Sequence, residues 1–204
     1  MIKPINGTEG YAEEADDLAI QYEALSFTDV HRDTLHLIPI KSSLILDIGA
    51  GTGRDAAHLA RQGHQVVAVE PTAELRCHSQ RLHSDTAITW VDDALPELQK
   101  LRRYSRRFDV VLLTAVFMHL DEVERRTALE SIGPLLTDRG ILILSLRHGV
   151  VPPGRRMFEV SSSEVVTMAK TQDLIAIHES HRDDMQHRPG IHWTQLAFRR
   201  QAFA

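Results

Sequence analysis

The chain has 204 residues, of which 43% are hydrophobic and 25% charged, a composition that suits one soluble domain with a substantial core. Its formal net charge of -5 argues against a nucleic-acid partner, because such proteins carry a basic face that displaces counterions from phosphates. The single cysteine, Cys77, excludes an internal disulfide and fits a reducing compartment. Residues 1–10 lack a signal pattern and no apolar run approaches the ~20 residues of a membrane span, so we expect a cytoplasmic protein without a membrane partner.

The first forty positions are predicted to be helical. Between residues 11 and 25 the apolar side chains fall three or four positions apart and share one face. A second short helix is predicted from Thr28, a suitable N-cap, to Leu37, and Pro39 ends it. We expect residues 1–40 to form a lid over a main domain that spans residues 41–204.

In the main domain, short apolar runs alternate with helical patterns, as in a sheet built from strand-helix-strand units. Strands are predicted at 44–48, 65–69, 87–91, 108–114 and 141–146, and a terminal pair at 174–180 and 193–200. Helices are predicted at about 54–63, 72–83, after Pro96, from a capping box at Asp121 and Glu124 to residue 136, and from Ser162 or Ser163 to 171.

The predicted order defines the fold class as α/β. It gives a single doubly wound, seven-stranded sheet that is mostly parallel, with an antiparallel last strand because the final connection is a short loop. In such sheets ligands bind in the crevice at the carboxyl ends of the strands, so we expect the functional residues just after the first five strands.

The turn after the first strand, Asp47 to Gly53, reads DIGAGTG. Glycines there let the backbone turn tightly and let a ligand lie on it without collision with a Cβ atom. Dinucleotide-binding proteins also place a G-x-G-x-x-G turn after a strand, but Arg54 occupies the position of their third glycine. This departure disfavours an NAD-dependent oxidoreductase.

Three further segments follow the next strands: acidic Glu70, DDALP at 92–96 and TAVFMH at 114–119. Together with the glycine turn, this set resembles the class I S-adenosylmethionine-dependent methyltransferase family over nearly the whole chain. The resemblance implies a Rossmann-like seven-strand fold. It also implies S-adenosyl-L-methionine as the cofactor, S-adenosyl-L-homocysteine as the product and methyl transfer as the reaction.

The resemblance also suggests which side chains hold the cofactor. Glu70 would accept hydrogen bonds from two ribose hydroxyls, and Asp93 or Asp92 from the adenine amine, with the similarity favouring Asp93. Asp47 either braces the glycine turn or contacts the ligand directly. The predicted cofactor-binding set is Asp47, Gly49, Ala50, Gly51, Gly53, Arg54, Glu70, Pro71, Asp92, Asp93, Ala94, Thr114, Ala115 and Val116.

Arg54 has two interpretations. It could pair with the methionyl carboxylate near the start of a helix, or form a surface ion pair with Asp55 or Glu74.

Catalytic residues are harder to predict, because a methyl sulfonium is already electrophilic and a base is needed only where the acceptor must lose a proton. His119 is the leading candidate base, since it follows the fourth strand and histidine titrates near working pH. The alternative is a histidine that packs locally at a helix entry. His148, at the end of the fifth strand, is the second candidate.

Four side chains are predicted to contact the acceptor. Arg155 and Arg156, in a loop stiffened by prolines, could clamp a carboxylate or phosphate. Tyr11 and Tyr22 would reach the pocket from the lid, or would instead form the core of the lid. Although the chain has 12 histidines, none stands with other ligands at metal-binding spacing, and we predict no metal site.

The predicted function is transfer of a methyl group to oxygen or nitrogen of a small metabolite, with anionic metabolites as candidates, by a monomer or homodimer. The first alternative is a methyltransferase that acts on RNA or protein. The second is a module that binds S-adenosylmethionine without catalysis, since no obligatory nucleophile distinguishes the two.

Overall fold

The computed structural model describes residues 5–202, and its strands form one seven-stranded sheet with the order β3-β2-β1-β4-β5-β7-β6. Strands β1 to β5 pair in parallel, whereas β7 is antiparallel to both of its neighbours. The predicted fold class is therefore confirmed. The strands are β1 (Leu44–Ile48), β2 (Gln65–Val69), β3 (Ile88–Val91), β4 (Phe108–Thr114), β5 (Leu136–His148), β6 (Leu174–Asp183) and β7 (His192–Arg200).

Six α-helices accompany the sheet. They are α1 (Ala15–Glu23), α2 (Phe27–Val30), α3 (Arg54–Arg61), α4 (Ala73–Leu82), α5 (Glu122–Ile132) and α6 (Ser162–Lys170). The predicted capping box of α5 is confirmed, because the Asp121 side chain accepts the Glu124 N–H and the Glu124 side chain accepts the Asp121 N–H. Within residues 5–202, no helix has the length and hydrophobicity required to cross a membrane.

Two helix predictions were wrong. No α-helix follows Pro96, because the Asp93 carboxylate accepts the backbone N–H groups of Lys100 and Leu101 and folds the segment back on itself. The predicted helix at 28–37 is a short α2 capped by the Ser26 side chain, followed by a separate 3-10 turn at Leu35–Leu37.

Helices cover the sheet on both faces, which explains why its central strands are apolar throughout. In β4, Val111 and Leu113 pack in the core cluster that contains residues of α5 and α6. Val110 and Leu112 pack in a second cluster with residues of α2 and α3. Pairing with β1 on one edge and β5 on the other sets the register of β4 and therefore the position of the residues that follow it.

The first forty residues divide into two parts. Ala15 and Leu18 of α1 pack against Leu75 of α4, above the carboxyl ends of the strands. Phe27, by contrast, is buried in the core beneath the sheet, with Leu35 at its edge. Residues 11–25 therefore lie where a lid over the strand ends would lie. The boundary of the lid at residue 40 remains a prediction, and residues 1–4 lie outside the described chain.

Candidate active site

A cavity of about 490 Å³ opens at the carboxyl ends of β1, β2, β4 and β5, beneath residues of the N-terminal segment. This volume lies in the range of small-molecule sites. The predicted residues that line it are Tyr11, Tyr22, Asp47, Gly49, Ala50, Gly51, Arg54, Glu70, Pro71, Asp93, Ala94, Thr114, Ala115, Val116, His119 and Arg155.

The glycine turn forms one wall of the cavity. The backbone N–H groups of Gly49 and Ala50 both donate to the Val69 carbonyl, at 2.8 and 2.9 Å, which ties the turn to the end of β2. Gly49 has a φ of +71°, and a Cβ atom there would lie 2.5 Å from Val116 Cγ2. The turn therefore requires glycine at this position for both conformation and space.

Glu70 lies beside this turn at the end of β2, with only 5% of its surface exposed. Its Oε2 accepts the Gly51 N–H at 2.9 Å, and its Oε1 accepts the Thr72 N–H at 2.7 Å. Burial raises the pKa of this carboxyl above its ordinary value. Each oxygen keeps a further lone pair, so the carboxylate is fixed in position and can still accept bonds from a ligand.

Asp47 is a second buried carboxyl in the cavity wall. Its Oδ2 has no hydrogen-bond partner among the described residues. Burial raises the pKa of Asp47 well above its ordinary range, and the neighbouring Asp55 carboxylate adds to the increase. An unpartnered carboxylate oxygen costs free energy when buried, and a ligand that donates hydrogen bonds or carries positive charge would recover it.

A buried network that the sequence did not reveal supports the turn from below. Asp55 accepts hydrogen bonds from His31 Nε2 and Arg54 Nε, both at 2.7 Å, and from Thr114 Oγ1 at 3.0 Å. Burial raises the pKa of Asp55, but the opposing effect of His31 and Arg54 is larger and leaves it below its usual range. Of the two interpretations of Arg54, the structure shows the pairing with Asp55, but this pair is largely buried and not on the surface.

The two aspartates after β3 have different surroundings. Asp93 is buried at the cavity and accepts the backbone N–H groups of Ala94, Lys100 and Leu101. The Asp92 side chain is 54% exposed and pairs with Arg76 and Lys100, away from the cavity. The geometry therefore corrects the prediction for Asp92, because consecutive residues leaving a strand point to opposite sides.

The segment after β4 forms the opposite wall. Ala115 has a φ of +60°, an uncommon conformation for a residue with a side chain, and its N–H donates to Ser145 Oγ at 2.9 Å. Strained backbone of this kind persists where the surroundings fix it. The segment is thereby held against the cavity.

His119 and Tyr11 form a hydrogen-bonded pair at the cavity. His119 Nδ1 lies 2.7 Å from the Arg156 carbonyl oxygen, which can only accept, so Nδ1 carries the proton. Nε2 is then an acceptor, and the Tyr11 hydroxyl donates to it at 3.0 Å. Burial lowers the pKa of His119 and raises the pKa of Tyr11, so both side chains are neutral at pH 7.

Comparisons with known proteins agree with this geometry. A family model described as a methyltransferase domain matches residues 46–142, the region that contains the glycine turn, Glu70 and the segment after β4. In this region the chain is similar to a methyltransferase domain.

The match to curated relatives covers only part of each protein. An uncharacterised methyltransferase of Mycobacterium tuberculosis is 30% identical over 60% of this chain and 64% of its own. The ubiquinone biosynthesis O-methyltransferase of Azorhizobium caulinodans is 35% identical over 58% of this chain and 46% of its own. The chain therefore matches less than two thirds of the length of either relative.

The fold is shared with solved structures at low identity. A Burkholderia thailandensis 1,6-didemethyltoxoflavin-N1-methyltransferase, with 1,6-didemethyltoxoflavin and S-adenosylhomocysteine bound, superposes with a TM-score of 0.71. It is 22% identical, and the alignment covers 94% of this chain and 84% of that one. At this identity the likeness shows the fold.

Three further predicted site residues lie outside the cavity. A Cβ atom on Gly53 would meet Ser79 and Trp90, so this glycine serves packing below the turn. His148 Nε2 is bonded to Thr194 Oγ1 at 2.9 Å, and its ring stacks on His192.

Among residues 5–202, no cluster of three potential ligands could hold a metal ion.

Arg156 is the third predicted site residue outside the cavity. Its guanidinium is held by Asp121, Glu124 and the His119 carbonyl oxygen. Arg155 does line the cavity, but its Nη2 lies 2.7 Å from Glu14 Oε2 and its guanidinium stacks over the Tyr11 ring. Both arginines are thus engaged by carboxylates of the protein itself. Their role here is to hold the segments that carry Tyr11 and His119.

Sequence reasoning missed the residues at the far end of the cavity. They are Arg147 at the end of β5, Arg182 and Trp193 on β6 and β7, and Asp184, Met185, Gln186 and Arg188 in the loop between these strands. The polar composition of residues 183–192 was a weak signal for this loop. The strand register that brings it to the cavity has no counterpart in local sequence.

Proposed function

We propose that this chain is an S-adenosylmethionine-dependent methyltransferase that transfers a methyl group to oxygen or nitrogen of a small molecule. One observation carries the proposal: the fixed carboxylate of Glu70 and the unpartnered oxygen of Asp47 lie in one wall of the cavity, beside the glycine turn. A ribose diol and a protonated amine are the groups that two such carboxylates would bind.

When bound, S-adenosylmethionine supplies an electrophilic methyl sulfonium. Glu70 would accept from the ribose hydroxyls, and Asp47 with the backbone of the glycine turn would hold the methionyl end. Asp93 would accept from the adenine amine with the one lone pair, on Oδ1, that its three backbone bonds leave free. These roles follow the family resemblance and agree with the donors and acceptors present.

Tyr11 and His119 offer a route for a proton. The acceptor's hydroxyl or ammonium would lose its proton either directly to His119 Nε2 or through the Tyr11 hydroxyl, which already donates to that nitrogen. The bond from Nδ1 to the Arg156 carbonyl oxygen fixes the ring and its tautomer. The chain thus contains a neutral, oriented base beside the cavity.

The enclosed position of the cavity supports a small acceptor. Tyr11, Leu18 and Tyr22 from the N-terminal segment line it, so a macromolecular acceptor would have to displace that segment. The Burkholderia neighbour, which binds 1,6-didemethyltoxoflavin, acts on a molecule of this class. The formal net charge of -5 points the same way, because RNA substrates require a basic face.

Calorimetry with S-adenosylhomocysteine and NAD in parallel tests the cofactor. We expect the first to bind and NAD to give no heat; binding of NAD alone would overturn the proposal. Glu70→Ala should weaken S-adenosylhomocysteine binding by about 1.5–3 kcal/mol, the value of hydrogen bonds to a charged group. Glu74→Ala, an exposed change in the first turn of α4, is the matched control and should bind like wild type.

A transfer assay separates the remaining functions. Labelled methyl from S-adenosylmethionine is offered with a panel of small metabolites, with RNA and with protein. Labelling of a metabolite supports the proposal, and labelling of RNA or protein alone favours the macromolecular alternative. Cofactor binding without transfer to any of them would favour a non-catalytic binding module.

A further inference from the structure

The arginine side chains that line the cavity fall into two groups, those that form an ion pair with a protein carboxylate and those that do not. Three are paired at 2.7 Å with protein carboxylates, namely Arg54 with Asp55, Arg155 with Glu14 and Arg188 with Asp184. Two others, Arg147 and Arg182, form no ion pair with any residue of the described chain 5–202. Within residues 5–202, Arg147 and Arg182 are thus the arginines of the cavity that have no carboxylate oxygen within 4.0 Å, although Asp33 and Asp184 attract Arg182, and Asp184 attracts Arg147, from a greater distance.

Strand register places these two arginines in one row. Arg147 of β5 lies opposite Trp193 of β7, and Trp193 lies opposite Arg182 of β6. Residues opposite one another in a sheet project from the same face, and neighbouring strands lie about 4.8 Å apart, so the two arginine α-carbons are separated by roughly 10 Å. All three side chains line the cavity, and we call them the Arg–Trp–Arg row.

Both guanidinium groups retain free hydrogen-bond donors. Arg147 donates to the Val150 carbonyl oxygen and Arg182 to the Asp29 carbonyl oxygen, each at 3.0 Å. The buried Nε of Arg182 has no partner among residues 5–202. Since a guanidinium has five N–H donors, most of this capacity remains available to a ligand.

The Asp184 carboxylate, which also lines the cavity, does not neutralise the positive charge of the Arg–Trp–Arg row. Asp184 is bonded to the Arg188 guanidinium at 2.7 and 2.9 Å, and its Oδ1 also accepts from Trp193 Nε1 at 2.9 Å. Its negative charge is therefore balanced within its own loop. The bond to Nε1 also orients the Trp193 ring beside the two arginines.

The cavity as a whole separates its charges. Asp47 and Glu70, which form no ion pair with any described residue, lie at the carboxyl ends of β1 and β2. Arg147 and Arg182, which form no ion pair with the described residues, lie across the sheet at the ends of β5 and β6. One end suits the positively charged methyl donor, and the other suits a group of negative charge.

We propose that the Arg–Trp–Arg row binds a carboxylate or phosphate group of the methyl acceptor, with the Trp193 ring against the acceptor's apolar body. The proposal rests on the proposed function and narrows its substrate class to small organic acids or phosphate esters. It replaces Arg155 and Arg156, whose charges are already balanced by protein carboxylates, as the residues that recognise the anion.

The test uses the full chain saturated with S-adenosylhomocysteine, at constant ionic strength. Calorimetric titrations with inorganic phosphate, benzoate and neutral benzamide are made on wild type, Arg147→Gln, Arg182→Gln and the double variant. Arg107→Gln, which changes an exposed arginine outside the cavity, is the matched control. Thermal unfolding and S-adenosylhomocysteine affinity of each variant establish that the fold and the donor end are intact.

Wild type and the control should bind at least one anion saturably and benzamide weakly or not at all. Each single variant should weaken anion binding about tenfold, while S-adenosylhomocysteine affinity stays within about twofold. Preference for benzoate indicates a carboxylic acid with an apolar body, and preference for phosphate indicates a phosphate ester.

Two results would contradict the proposal that the Arg–Trp–Arg row binds an anion. The first is an anion that binds wild type and the double variant equally, and the second is no saturable binding of either anion to wild type. Failure of S-adenosylhomocysteine to bind would instead contradict the proposed function. In that case the same anion titrations, made on the protein without it, still decide whether the row binds anions.

Discussion

At the scale of single residues, two buried carboxyl groups in the cavity wall differ in their hydrogen-bond partners. Both oxygens of Glu70 accept backbone N–H groups, whereas Oδ2 of Asp47 accepts nothing from the described residues. Glu70 thus contributes to the structure of the turn as well as to its proposed ligand. The buried carboxylate of Asp47 should therefore favour ligand binding but lower the stability of the ligand-free protein.

Asp47→Asn should raise the melting temperature of the ligand-free protein and weaken S-adenosylhomocysteine binding. Burial raises the folded-state pKa of Asp47, and a carboxyl whose pKa is raised on folding destabilises the protein above its unfolded-state pKa. A bound amine prefers the ionised carboxylate, so wild-type affinity should rise as the pH rises above the ordinary carboxyl range and Asp47 loses its proton. The variant should show a shallower rise, measured by calorimetry at several pH values; an identical slope would exclude ionisation of Asp47.

His119→Ala should lower kcat by about 10²–10⁴-fold on an acceptor found in the transfer assay, the range for loss of a general base. S-adenosylhomocysteine affinity should not change. Because burial lowers the pKa of His119, wild-type kcat should be constant near pH 7 and fall only in more acidic solution, where Nε2 becomes protonated. His148→Ala, outside the cavity, is the control; a loss of kcat equal to that of His119→Ala would contradict the assignment.

At the scale of elements, the strand-turn-helix unit from β1 to α3 depends on the close approach of Gly49 to the segment after β4. Gly49→Ala combines a positive φ with a collision at Val116, so we expect a loss of about 2–5 kcal/mol in unfolding free energy. Gly63→Ala also has a positive φ but open space around it, and should cost about 1–2 kcal/mol. Denaturant titration measures both.

Adding Val116→Ala to Gly49→Ala should recover the part of the loss that comes from collision. Recovery is expected to be incomplete, because the backbone strain at Gly49 remains. Equal stability of Gly49→Ala and Gly63→Ala would show that the turn moves away from Val116 at little cost.

At the scale of the whole molecule, polar contacts hold the N-terminal segment over the cavity. The Arg155 guanidinium pairs with Glu14, and Glu23 at the end of α1 accepts from Thr52 Oγ1 at 2.6 Å and lies 3.2 Å from His83 Nε2. We expect the segment to open and close over ligands by breaking and re-forming these contacts.

S-adenosylhomocysteine at 100 times its Kd should stabilise the fold by about 2.7 kcal/mol and slow amide hydrogen exchange in α1. Arg155→Gln should speed exchange in α1 in the ligand-free protein and leave the strands unchanged. Arg126→Gln, which breaks an exposed pair with Glu122, is the control and should not alter α1. Unchanged exchange in Arg155→Gln would show that the Arg155–Glu14 pair does not hold the segment in place.

The sequence alone determined the strands of the sheet, the glycine turn and the position of Glu70. These depend on hydrophobic pattern and on residues adjacent in the chain, and a parallel strand order brings their carboxyl ends to one edge. Only the tertiary structure decided that Asp93 and not Asp92 faces the cavity, that His148 bonds to Thr194, and that His119 meets Tyr11. It also decided the row of Arg147, Trp193 and Arg182, because the register of three strands far apart in sequence sets which side chains become neighbours.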